Sequence, residues 1–127
     1  MKHIVTTNKS VNQAVKDVEE AVKRHGFGVL HIHNLQETMK KKGVELGNEC
    51  LILEICNPYQ AKKVLEEDMD LNMALPCRIS IYSFEGQTKI GTLKATDLLS
   101  VLSQSPRLQE VAAEVEREIS EIISEAK

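Results

Sequence analysis

Two proline-punctuated blocks constrain this chain more than any other feature: Cys56-Asn57-Pro58 and Leu75-Pro76-Cys77-Arg78. Asn57 is a favoured N-cap, and Pro58 at the first helical position gives up no hydrogen bond the helix needs, so a strand ends at Cys56 and a helix begins at once. Pro76 cannot continue a helix, so a new strand is expected from Cys77. The blocks bracket one helix over Pro58–Glu67, with Ala61, Val64 and Leu65 buried, and place a thiol at each change of backbone direction.

Around this bracket the periodicity is legible. His3-Ile4-Val5-Thr6-Thr7 is β-branched and reads as a strand. Ser10 with Gln13 opens an amphipathic helix whose apolar positions Val11, Ala14, Val15, Val18, Ala21 and Val22 run to Gly26. Phe27 to His33 alternates, with Phe27, Val29, His31 and His33 expected on one side and Leu30 and Ile32 on the other. Asn34 with Glu37 opens a short helix closing at Gly43. Glu49 to Cys56 sends Leu51, Leu53 and Ile55 one way and Cys50, Ile52, Glu54 and Cys56 the other. Asp68 to Pro76 reads as irregular, with one helical turn near Leu71 to Ala74. Cys77–Glu85 and Gln87–Ala95 form a hairpin around Gly86. A short helix from Thr96-Asp97 reaches Leu102. Ser105-Pro106 then starts a last helix striped by Leu108, Val111, Ala112, Val115, Ile119, Ile122 and Ile123.

The order strand, helix, two strands, helix, two strands, helix predicts an α+β domain over residues 1–127. A mainly antiparallel sheet of about five strands would carry helices on one face, as a split βαβ unit extended by a hairpin and a final helix. A hydrophobic content of 42% in 127 residues suffices for one core.

Charge excludes more than it suggests. Six of the 19 acids but three of the 16 bases lie from Pro106 onward, which leaves thirteen of each sign before it, so the net charge of -3 belongs to the last helix. Four aromatic residues and one basic run, Lys40-Lys41-Lys42, argue against nucleic acid, and the run suits a helix C-terminus. No apolar span of ~20 residues argues for a membrane helix, and no signal segment is evident. Three cysteines, an odd number, point to a reducing, cytoplasmic setting.

The Cys56 and Cys77 blocks, with Gly26-Phe27-Gly28-Val29 and the Leu35 to Gly43 helix, resemble the bacterial family called domain of unknown function 302. The resemblance spans most of the chain. It implies a compact α+β fold of the TATA-box-binding-protein class and a cytoplasmic homodimer, and it implies no activity.

Candidate chemistry falls into two sets. Parity places His31, His33, Glu54 and Cys56 on the face away from the core, where imidazole and thiolate would suit zinc or copper. That face could equally be solvated or a subunit contact. Cys56, Asn57, Cys77, Arg78 and Tyr82 are candidates for holding a small ligand. Cys56 precedes a helix N-terminus, which favours a thiolate, though a small buried residue filling space fits as well. Parity also sends Cys56 and Cys77 to opposite sides of the sheet. Three functions follow: a ligand- or metal-binding module, a thiol enzyme with Cys56 as nucleophile and His31 or His33 as base, or a structural dimer or protein-interaction domain that binds through its acidic last helix.

Overall fold

The computed structural model describes all residues, Met1–Lys127. Five strands, β1 (Lys2–Thr7), β2 (Gly28–Asn34), β3 (Cys50–Cys56), β4 (Cys77–Phe84) and β5 (Gln87–Leu93), form one sheet in the order β1-β5-β4-β3-β2. Every pairing is antiparallel. The helices are α1 (Val11–Arg24), α2 (Leu35–Lys41), α3 (Pro58–Glu67), α4 (Ala95–Leu102) and α5 (Pro106–Ala126), and a 3-10 helix spans Met69–Ala74.

Helix starts follow from local chemistry. Ser10, Asn34, Asn57 and Ser105 each accept a backbone N–H of the first turn through a side-chain oxygen, which satisfies donors that a helix N-terminus otherwise leaves free. At Ser10 the reciprocal half of the capping box is missing, because Gln13 donates to Asp17 at 2.9 Å instead. The β4–β5 hairpin turns on Glu85 and Gly86, both at positive φ (50° and 77°), a pairing that matches the twist of the strands.

One cluster of 24 buried residues forms the core between sheet and helices. From the sheet come Leu53, Ile55, Ile79, Ile81 and Ile90, all fully buried. From α5 come all seven expected stripe residues, Leu108 through Ile123. α1, α3 and α4 each pack against α5. α2 buries no side chain and lies beside β3.

One expectation from parity needs correction. The register slips between Val29 and His31, so Val29 pairs with Ile55 and Ile32 with Leu53. Both Val29 and Ile32 therefore pack on the core, while Leu30 is 60% exposed. A bulge absorbs the extra residue and resets alternation within β2. His31 and His33 lie beyond it, on the helix-free face.

Candidate functional site: an apolar cavity at the start of α3

β3 ends at Cys56, the chain turns through the Asn57 cap, and Pro58 begins α3, which packs against α5 and the 3-10 helix. After the 3-10 helix and a cis Leu75–Pro76 peptide, Cys77 re-enters the sheet opposite Ile55. The end of β5, α4 and the middle of α5 close the far side. Together these segments enclose a cavity of about 510 Å³, and 16 of its 21 lining residues are hydrophobic. Ile55, Val64, Leu99, Val115 and Ile119 are among its buried lining residues.

Cys56, Asn57, Cys77 and Arg78 all line this cavity. The register keeps the parity expected of the two thiols, with Cys77 paired to Ile55 and packed on the core and Cys56 one residue further on, and the cavity takes part of its lining from both where β3 stops and β4 starts. Burial first, and then the neighbouring Cys56, push the Cys77 thiol up to about 11. Asn57 has its side-chain oxygen committed to the cap, accepting from the Tyr59 N–H at 3.0 Å and the Gln60 N–H at 3.4 Å. Arg78 is exposed, stands across from Glu54 in the register, and lends its carbonyl to the Thr92 hydroxyl at 2.8 Å. Tyr82 does not join this group. It pairs with Cys50 and Lys89 further along the helix-free face.

The proposed metal set is also divided. His31 lies directly across from Glu54, and His33 Nε2 reaches Glu54 Oε1 at 2.6 Å. The two imidazoles meet edge to face with centroids 4.3 Å apart. The His33 hydrogen bond is the main reason the Glu54 carboxyl sits below its usual range, with burial opposing it and the nearby cations helping. Cys56 lies at the cavity instead, and nowhere are three or more His, Cys, Asp or Glu side chains gathered so as to hold a metal ion. No histidine lines the cavity.

One buried polar residue in the cavity lining escaped the sequence reading. Gln60, in the first turn of α3, is only 7% exposed, lines the cavity, and has a buried Oε1 with no hydrogen-bond partner. A polar residue near a helix start reads as surface. Its position four residues before Val64, on the inward face, was the available signal.

A second, polar cavity of about 190 Å³ adjoins the first, sharing Thr92, Leu93, Ala95 and Ile119. It holds His3, whose Nε2 is likewise buried without a partner, and Glu116, whose carboxylate accepts from the Thr96 N–H at 3.2 Å and hydroxyl at 2.7 Å.

A five-stranded antiparallel sheet backed on one side by helices, with an apolar cavity where a capped helix meets the strand ends, defines the class of this molecule. The chain belongs to the family described as Domain of unknown function DUF302, whose model matches residues 3–126. It is similar to the crystal structure of an uncharacterized conserved protein DUF302 from Bacillus stearothermophilus, at a TM-score of 0.94 and 32% identity over 99% of this chain and 98% of that one. No curated protein matches it. The family's description assigns no catalysis.

Proposed function

We propose that this protein is a binding module for a small, largely apolar organic molecule held in the cavity beneath α3. The single observation that carries this reading is the cavity itself: its volume of about 510 Å³ and its mostly hydrophobic wall with a few polar groups match the usual character of small-molecule sites. A thiol enzyme has less support, since no histidine or carboxylate lines the cavity to activate Cys56.

The same reading makes the molecule a homodimer in a bacterial cytoplasm, where its three thiols stay reduced. The partner surface would be the helix-free sheet face. Phe84 and Ile4 remain 51% and 44% exposed there, beside the partly open Ile52 and Tyr82. Covering such side chains contributes about 1.5 to 3 kcal/mol each.

Native mass spectrometry of protein purified without added metal reads ligand and assembly together. The expected species is a pair of chains carrying one small organic molecule per chain. Val115→Phe, which fills the cavity, should lose the molecule and keep the pair. A bare chain that also fails to take up the neutral probe N-phenyl-1-naphthylamine saturably would overturn the ligand reading, and a monomer at every concentration would overturn the dimer.

A further inference from the structure

Charge in the wall of the large cavity is one-sided. Of its 21 lining residues none is acidic and none is a histidine, and Arg78 is the one ion among them. Burial keeps the Cys77 thiol protonated near neutral pH, so that thiol adds no negative charge. A cationic group carried into this space would lose its hydration and find no counter-ion, whereas an anionic one has a single group to meet.

Arg78 is free to meet it. As the second residue of β4 it is exposed and yet part of the lining, which sets it where the cavity opens at the border with the helix-free sheet face. Glu54, the acid across from it in the register, bonds His33 at 2.6 Å instead. The guanidinium makes no salt bridge or hydrogen bond within the chain, and the fold uses only the Arg78 carbonyl, which accepts from the Thr92 hydroxyl at 2.8 Å. The nearby start of α3 offers an anion no further donor: Pro58 has no N–H, those of Tyr59 and Gln60 go to Asn57 Oδ1, and that of Ala61 goes to the Asn57 carbonyl. One planar cation suits a carboxylate, which its fork can bind through two parallel hydrogen bonds. A phosphate monoester, with close to two negative charges at neutral pH, would keep part of its charge unpaired.

We infer that the ligand is an apolar monocarboxylate, its body in the cavity beneath α3 and its carboxylate at the mouth, paired with the Arg78 guanidinium. This rests on the cavity reading above and adds the ligand's class and the residue that selects it. A neutral amide of the same shape keeps the apolar contacts and loses the ion pair, and an amine of similar size meets Arg78 as a like charge.

Isothermal titration of the full chain at pH 7 with biphenyl-4-carboxylate, biphenyl-4-carboxamide, 4-phenylbenzylamine and 4-phenylphenol tests it. The carboxylate should bind about fivefold or more tightly than the carboxamide, the scale of a guanidinium–carboxylate pair that stays partly in water, and the amine more weakly than the carboxamide. Added salt should shrink the carboxylate's advantage and leave the carboxamide unchanged. In Arg78→Gln the carboxylate and carboxamide should become indistinguishable, with the carboxamide's affinity retained, while Val115→Phe should lose both. The wild-type comparison needs no variant. Equal binding of carboxylate and carboxamide to the wild type, or a preference for the amine, overturns the inference and leaves the cavity reading standing. A carboxylate preference that survives Arg78→Gln, or a carboxylate that still binds Val115→Phe, also overturns it. Failure of all four compounds, 4-phenylphenol included, to bind overturns the cavity reading, and this inference with it.

Discussion

Cys56 and Cys77 mark the two ends of the bracket around α3. Local pattern locates the thiols well, because each sits beside a proline that marks a change of direction. Alternation along the strands separates the two, and both border the cavity at the strand ends. For His31, His33 and Glu54, which lie inside their strands, the same rule gives the face on which the structure places them. Cys77 has a measurable signature. With its thiol pushed up to about 11, its thiolate fraction at pH 8 is about a hundredfold below that of an ordinary cysteine. Iodoacetamide should therefore modify Cys77 in the folded protein about a hundredfold more slowly than in urea, with a rate still climbing above pH 10. Peptide mapping by mass spectrometry checks this, and equal rates in the two states would contradict it. The sign for stability follows: the folded thiol holds its proton more tightly than the unfolded one, so this contribution is complete below about pH 9 and is lost as pH rises toward 11.

At the scale of elements, the fold was legible wherever a helix or turn is specified by adjacent residues. Asn57-Pro58 sets both the start and the direction of α3, and Ser105-Pro106 does the same for α5. The bulge in β2 was not legible, since Phe27 to His33 alternates without interruption and only pairing with β3 reveals the extra residue. The 3-10 helix over Met69–Ala74 is longer than the single turn expected, with Asp68 capping it through the Asp70 N–H at 2.9 Å. The Asn57 cap offers the clearest test at this scale. Asn57→Ala frees the N–H groups of Tyr59 and Gln60, and should lower stability by about 0.5 to 2 kcal/mol in urea unfolding. An unchanged unfolding midpoint would mean the cap does not hold α3.

For the molecule as a whole, helices on one face of an antiparallel sheet follow from the pattern of elements, and the sheet order closes the hairpin β4–β5 between β1 and β3. The cavity does not follow from any local pattern. Its wall draws on β3, α3, the loop before β4, the end of β5, α4 and α5, which meet only once the chain has folded. Alanine and valine on the inward faces of α3, α4 and α5 read in sequence simply as core. The helix-free face, by contrast, could be anticipated from exposed Phe84 and half-open Ile52, because the stripes of the helices account for only the opposite side.

The measurement bearing most directly on the cavity is a methyl NMR titration of Ile-, Leu- and Val-labelled protein with 4-phenylphenol. Saturable shifts are expected at Ile55, Val64, Leu99, Val115 and Ile119, while Ile4 and Ile52 on the open sheet face stay in place. Shifts concentrated on Ile4 and Ile52, or no saturable shift at any methyl, would contradict the assignment of the space beneath α3 as the binding site.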